Sequence, residues 1–457
     1  MREEKLHFVG IGGVGMSALA QFHAMGGGAV TGSDRLLDRG EIVELRAKLG
    51  RLGVRFFPQD GSAVDDATTR VVVSTAIEDD NADLARARVL GVPVVHRADH
   101  LAELVASHRT LAITGTSGKS TVTAMVFEIL AASGRSPSLI TGGALRRLED
   151  DGLLGNAARG ESDLLVIEAD ESDGSVVRYK PEIGALLNVG KDHKEVPVLL
   201  EMFRTFRSLS RRFVVNGDSP ALAEFRSDAG TFGFGEGCSV RGTDLDVPPG
   251  RICLRINSVP FELPLDGRHN AENALAAAAV CLEAGVPLEE SASALKVYRG
   301  IVRRFERLGT AGGIMVIDDF AHNPDKVRAV LAAAAVCAER VLAVYQPHGY
   351  APTRFLKDDF IAAFTDALRP EDLLWMPEIY YAGGTAAKTI SSADLTRPLA
   401  ERGRRARFLA DRAEIVAELV KEARPGDLIL VMGARDPSLG AFARSILAAL
   451  RSRHESS

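Results

Sequence analysis

Residues 115–121 read Gly-Thr-Ser-Gly-Lys-Ser-Thr, after the apolar run TLAIT and before a helix-compatible run over residues 120–132. A strand, a glycine turn and a helix in that order demand a parallel return, so the chain must build an α/β sheet with helices on its faces. The glycines let backbone N–H groups approach phosphate oxygens closely, and the helix N-terminus adds a favourable dipole. In such a loop Lys119 neutralises β- and γ-phosphates and the Ser120 hydroxyl ligates Mg²⁺. The common spacing GxxxxGK[ST] would place its first glycine at position 113, which is Ile, so the loop is a shortened variant. The bland alternative is a glycine-rich turn beside a solvated lysine.

The same alternation runs through all 457 residues, and at ~150 residues per domain it divides into roughly three. Residues 1–106 carry strand candidates at 6–9, 29–31, 71–74 and 92–95, with helices near 16–25 and 81–90. Residues 107–300 carry strands at 110–114, 164–167, 183–187 and 212–215, a small antiparallel patch of short alternating segments over 230–265, and an Ala-rich helix over 271–282. Residues 301–457 carry strands at 314–317, 340–344, 373–376, 406–409 and 428–431, with helices near 326–338 and 412–423. The expected fold is therefore α/β in three domains: a Rossmann-like N-terminal domain, a central P-loop ATPase-like domain and a Rossmann-like C-terminal domain.

Composition removes several classes of function. Lys plus Arg number 55 against 61 Asp plus Glu, a net charge of −6, which lacks the basic footprint of a general nucleic-acid binder. No apolar run approaches the ~18 residues of a membrane span. The start goes straight into a strand with no leader pattern. Cys238, Cys253, Cys281 and Cys337 are far apart and form no CxxC pair, which fits reduced thiols and a cytoplasmic location. The expected partners are small molecules, with neither nucleic acid nor membrane, for a monomer or weak homodimer.

Further chemistry clusters where strands end. Glu168-Ala169-Asp170-Glu171-Ser172-Asp173 follows the strand LLVIEAD, and a carboxylate there, Glu168 first, is well placed to hold Mg²⁺. Asn188-Val189-Gly190-Lys191-Asp192-His193 also leaves a strand end, where Asp192 and His193 could reach the same crevice. Near the N-terminus, Gly10-Ile11-Gly12-Gly13-Val14-Gly15 has the GxGxxG form, with Asp34 after the second strand. A diphosphate can sit on that helix N-terminus; its owner can be a nicotinamide dinucleotide or a UDP-sugar, or the turn can be purely structural. Asn270 and Asn273 share a face of the Ala-rich helix and offer amides suited to an adenine edge, or simply cap the helix. In the last third, Arg303-Arg304-Phe305-Glu306-Arg307, Asp318-Asp319-Phe320-Ala321-His322-Asn323-Pro324 and Gln346-Pro347-His348-Gly349-Tyr350 with Thr353-Arg354 offer cations for ATP and for an amino-acid carboxylate.

Taken together, these residues resemble the Mur ligase family of ATP-dependent amide-forming enzymes, over essentially the whole chain and in the same order. HFVGIGGVGMSALA, VTGSD, VVVSTAI, PVVHRADHLAEL, EADESD, GRHNAENALAA, RRFERLG and the QPH segment resemble its alanine-adding branch. The resemblance implies that ATP phosphorylates the carboxylate of a UDP-linked muramic acid, and that an amino acid, L-alanine for this branch, attacks the acyl phosphate to form an amide for peptidoglycan precursors. It implies a UDP-sugar site at Gly12, Gly13, Val14, Gly15, Met16, Ser17, Asp34, Ser74, Thr75, His96 and Arg97. It implies ATP binding by Gly115, Thr116, Ser117, Gly118, Lys119, Ser120 and Thr121, with adenine at Asn270 and Asn273, and Arg304 and Asp319 closing over the nucleotide. Ser120, Glu168 and His193 match the family's metal-ligand positions. Lys119, Glu168, His193 and His322 would carry catalysis, and His322, His348, Tyr350 and Arg354 would hold the amino acid. Three positions depart from the branch: Ser117 stands for a usual His, His322-Asn323 for a His pair before Pro, and Gly349 for an Arg after QPH. Arg435 is a candidate replacement for the missing cation. The competing readings are a family member with another amino acid or sugar acid, an NAD(P)-dependent oxidoreductase, and a catalytically silent nucleotide-binding regulator.

Overall fold

The computed structural model describes residues 4–190, 194–381 and 387–455. Among them the strands form three sheets, distributed over two compact units. The first unit comprises residues 1–245, 253–264 and 271–301; the second comprises 246–252, 265–270 and 302–457.

In the first unit, β1 (Lys5–Val9), β2 (Ala29–Ser33), β3 (Arg55–Phe56), β4 (Arg70–Val73) and β5 (Val94–His96) make a sheet of order β3-β2-β1-β4-β5. Every pairing in it is parallel. The order reverses between β1 and β4, and the GxGxxG turn leaves the C-terminal end of β1 at that point, where open α/β sheets take ligands. Leu6 and Phe8 are fully buried on β1, and the helix Val14–Met25 lays Met16, Leu19 and Phe22 onto the same core.

The second sheet holds β6 (Arg109–Thr114), β7 (Ser138–Ile140), β8 (Ala157–Ala158), β9 (Leu164–Glu168), β10 (Ile183–Leu186), β11 (Arg212–Asn216), β12 (Gly230–Gly233), β13 (Val240–Asp246), β14 (Ile252–Ile256) and β15 (Val259–Leu263). Its order is β15-β14-β13-β12-β11-β10-β6-β9-β7-β8. β6 lies between β9 and β10, parallel to both, so the chain switches direction across it and the glycine loop emerges at the switch. The expected small antiparallel patch is present, at the edge of this sheet. β12 runs parallel to both β11 and β13, and so extends the main sheet. Beyond β12 the short strands β13, β14 and β15 follow one another at the sheet edge, with Asn257 and Ser258, both at positive φ, making the tight turn between β14 and β15. One apolar core runs through both sheets of this unit, from Leu6 and Phe8 to Ile167, Leu186 and Phe203.

In the second unit, β16 (Glu306–Ala311), β17 (Ile314–Asp319), β18 (Val341–Gln346), β19 (Leu373–Met376), β20 (Arg405–Phe408) and β21 (Leu428–Gly433) form a sheet of order β16-β17-β21-β18-β19-β20. β16 is antiparallel to β17 and was not foreseen: its strand ERLGTA is largely unburied and broken by a bulge between Arg307 and Gly309, so it lacks a buried-strand signature. No helix among the described residues is long and apolar enough to cross a membrane. All four cysteines are free.

Candidate active site

The phosphate loop is held open by its neighbour strand. Gly115 sits at φ +137°, and a Cβ there would lie 3.1 Å from Asn188 N. Asn188, just past β10, clamps the loop: its Oδ1 accepts from Thr116 Oγ1 at 3.0 Å and Ser117 N at 2.8 Å, and its Nδ2 donates to Ser117 O at 3.0 Å. Gly118 caps the helix Lys119–Ala132 in the left-handed region, φ +83°, and a Cβ there would lie 2.5 Å from Asn273 Oδ1. Asn273 therefore lies against the loop. Asn270, one turn earlier, donates through Nδ2 to Asp266 O at 2.8 Å.

Lys119 turns back across the loop. Its Nζ donates to Gly115 O and to Glu171 Oε2, both at 2.8 Å, and Asp170 lies 3.7 Å away. Burial pulls the ammonium pKa down, but the surrounding carboxylates of Glu171, Asp170 and Glu168 outweigh it and raise it, so Lys119 is charged. On the other side of the loop Ser120 Oγ donates to Glu168 Oε1 at 3.0 Å. Glu168 Oε2 accepts from Thr141 Oγ1 and Gly142 N, both at 2.8 Å, which fixes the carboxylate at the end of β9. A hydroxyl and an oriented carboxylate beside a phosphate-loop lysine are the hard oxygen donors that Mg²⁺ takes, so the residues fit that ion. His193, with Lys191 and Asp192, lies outside the described residues. Among the described residues no three His, Cys, Asp or Glu gather into a metal cluster.

At the first sheet, Asp34 receives Gly12 N at 2.9 Å on one oxygen and Leu36 N at 2.8 Å on the other. Its carboxylate shapes the glycine turn and caps the short helix Arg35–Asp38. Gly13 caps the helix Val14–Met25 without a side-chain bond. Gly15 faces the Arg97 guanidinium, whose Nη1 would be 2.8 Å from an added Cβ. Arg97 in turn donates to Asp173 Oδ2 at 2.5 Å. Met16 is core, and Ser17 donates to Val14 O at 3.0 Å. Asn156 Nδ2 donates to the same Val14 carbonyl at 2.9 Å, which ties this helix start to the β7–β8 region. Ser74 and Thr75 lie in the turn after β4, with Thr75 exposed. His96 caps the helix Arg97–Ser107 through Nδ1, and its Nε2 has no partner among the described residues.

In the second unit, His322 and His348 meet edge to face with centroids 5.8 Å apart, and Phe320 packs on His322 at 5.6 Å. His322 Nδ1 bonds Phe320 O at 2.9 Å. Burial, with the nearby Lys326, Arg304 and His348 charges, holds its pKa well below the usual imidazole value, so the ring is neutral. Asp319 accepts from Phe305 N and Ala321 N, both at 2.6 Å, and Arg304 lies over the Phe320 ring at 5.1 Å. Asn323 caps the helix Pro324–Cys337, its side chain accepting from Lys326 N. Gly349 is at φ +70°, and its N–H donates to Tyr380 O at 2.8 Å. An Arg at this position would be strained, so the departure there is a change of backbone as well as of charge. Tyr350 packs on Tyr381 at 5.3 Å, with Lys388 Nζ within 5.9 Å of its ring, and Arg354 donates to Thr389 Oγ1. Arg435 is exposed at φ +61°.

Sequence reasoning placed Lys119, Ser120 and Glu168 together but did not assign Glu171, Asn188 or Thr141 a part. Asn188 carried a usable signal, because it follows a strand that pairs with β6 directly beside the loop. Glu171 carried none, since nothing local says which of the four acidic side chains between residues 168 and 173 turns inward.

The chain is similar to known proteins along its whole length. Family profiles match residues 5–109 (Mur ligase family, catalytic domain), 113–281 (Mur ligase middle domain) and 303–435 (Mur ligase, glutamate ligase domain). It is 37% identical to the UDP-N-acetylmuramate–L-alanine ligase of Pelotomaculum thermopropionicum, over 95% of each chain. It is 35% identical to the enzyme of that name from Jannaschia sp., over 97% of this chain and 95% of that one. The crystal structure of UDP-N-acetylmuramate–alanine ligase from Thermotoga maritima superposes with a TM-score of 0.80 at 26% identity, covering 99% of both chains. With the phosphate loop, the oriented Glu168 and three family profiles in chain order, the protein belongs to the Mur ligase family.

Proposed function

We propose that the protein is an ATP-dependent ligase that joins the carboxylate of UDP-N-acetylmuramate to an amino acid, L-alanine, in peptidoglycan precursor synthesis. The observation that carries this reading is the placement of charged Lys119, held by Glu171, next to the bonded Ser120 and Glu168 at the switch point of the ten-stranded sheet, in one compact unit with the first glycine turn. The relatives at 37% and 35% identity, named for that reaction, support it.

A carboxylate is a poor electrophile, so the γ-phosphoryl group of ATP is transferred to it, and the amine then displaces phosphate from the acyl phosphate. The protein's task is mostly positioning and neutralisation of charge. Backbone N–H groups of residues 115–120 cradle the phosphates, and Lys119 neutralises charge on the transferred group. Ser120 and Glu168, with His193 as a further ligand, would hold Mg²⁺, which would supply electrostatic stabilisation of the same charge. The first glycine turn and Arg97 hold the diphosphate of the UDP-sugar. His322, neutral and held through Nδ1, orients the amine, with His348, Tyr350 and Arg354 forming the rest of the amino-acid site. Gly349 favours a second reading within the same reaction, in which the amino acid is not alanine, because the expected arginine is replaced by a left-handed turn.

The test is phosphate release with ATP, Mg²⁺, UDP-N-acetylmuramate and a panel of amino acids. Release that requires the sugar acid and is fastest with L-alanine is expected. Release fastest with another amino acid selects the second reading. No release with any pair, despite nucleotide binding, overturns both and leaves a silent nucleotide-binding protein.

A further inference from the structure

The turn after β9 holds a cation of the phosphate loop and, through Arg97, is linked to the first glycine loop. At its start, Asp170 and Glu171 hold Lys119 of the phosphate loop, at 3.7 and 2.8 Å. At its end, Asp173 holds Arg97, the guanidinium that lies against Gly15 of the first loop. Between these points the turn is cross-braced. Ser172 Oγ donates to Asp170 Oδ2 at 2.7 Å, and Ser175 N donates to Asp173 Oδ1 at 2.9 Å. Lys194 Nζ donates to the Glu171 carbonyl at 3.1 Å and to that of Ser172. Tyr179 OH, buried, donates to Ser175 Oγ at 2.8 Å. A segment of four residues tied this way moves as one piece, and its carboxylates share two cations.

Each cation is also what an incoming phosphate group needs. A nucleotide phosphate that draws Lys119 away leaves Glu171 uncompensated, and the turn's remaining negative charge then holds Arg97 more firmly. A diphosphate at the first loop that draws on Arg97 leaves Asp173 uncompensated and tightens the hold on Lys119. Both effects act over a few ångströms within a partly buried site, where such charges are poorly screened.

We infer that the Asp170–Asp173 turn is a charge-sharing coupler through which the nucleotide and the UDP-sugar each weaken the other's binding, with Asp173 and Glu171 as its positioning residues. This rests on the ligase reading above. Linkage requires the coupling to be reciprocal, so each ligand lowers the other's affinity by the same factor.

The experiment is calorimetric titration of the full-length protein with ADP and Mg²⁺, with and without saturating UDP-N-acetylmuramate, and the converse titration. No turnover occurs in this mixture, so only binding is read. In the wild type the sugar nucleotide is expected to raise the ADP dissociation constant about fivefold or more. Asp173→Asn should bring that factor towards one, and Asp173→Glu should restore it. Glu171→Gln, at the other end of the turn, should also collapse the factor while tightening ADP itself, because Lys119 is no longer held. A wild-type factor of one, mutual strengthening, or an unchanged factor in both Asp173→Asn and Glu171→Gln overturns the coupler. Failure of the wild type to bind either ligand overturns the ligase reading itself.

Discussion

The two glycine loops of the first unit solve one problem in different ways. Both follow a central parallel strand and both open a helix capped by glycine, Gly13 in one and Gly118 in the other. The phosphate loop carries its own cation, Lys119, and a side-chain clamp, Asn188. The first loop carries no Lys or Arg in residues 10–15. It is shaped by a carboxylate, Asp34, and borrows its guanidinium, Arg97, from a helix more than 80 residues on. A loop that must stabilise charge developing during phosphoryl transfer needs a cation rigidly placed on itself. A loop that only anchors a substrate's diphosphate can take one from a neighbour. On the proposed function, the sharper electrostatic demand is met by the more local solution.

Removing the local cation should have the largest effect. Lys119→Ala is expected to lower kcat by about 10² to 10³-fold, the scale of losing one preorganised charge donor, while circular dichroism shows an intact fold. Near wild-type ADP production by this variant would end the distinction between the loops. The borrowed cation is attacked most cleanly through Gly15. A valine there would push on the Arg97 guanidinium, and overpacking of about 1–3 kcal/mol should raise KM for the UDP-sugar roughly 10-fold or more, with KM for ATP raised by a smaller factor through the Asp173 turn. Equal rises in both constants would show that the first loop is not a separate anchor. The smallest effect is expected from Asn188→Ala, which leaves Thr116 and Ser117 unclamped. Losing those bonds costs about 1–1.5 kcal/mol, read as a KM for ATP up to about 10-fold higher with the UDP-sugar constant unmoved.

Much of this was legible in the chain. The strand–glycine–helix run at residues 109–132 specified a parallel strand with a helix packed on it, because parallel strands need such a crossover. The central strands of all three sheets follow from buried apolar runs such as LLVIE and LILVMG, while the short β3, β7 and β8 were not foreseen. Less legible were segments with no continuous apolar run. β16, half-exposed and bulged, and β12, which joins the main sheet, were settled by hydrogen bonding to neighbours far from them in sequence.

At the site, sequence alone determined which chemical groups are available: the ammonium of Lys119, the carboxylate of Glu168, the hydroxyl of Ser120, the imidazoles of His322 and His348. Tertiary structure decided their state and their partners. It selected Glu171 from its acidic neighbours to hold Lys119, gave Asp34 two backbone amides, made the His322 ring neutral by burial, and turned Gly349 into a left-handed corner. The reason is range. Backbone preference and apolar patterning act over a few residues, whereas charge pairing and desolvation depend on every group brought within several ångströms, and only the folded chain brings them there.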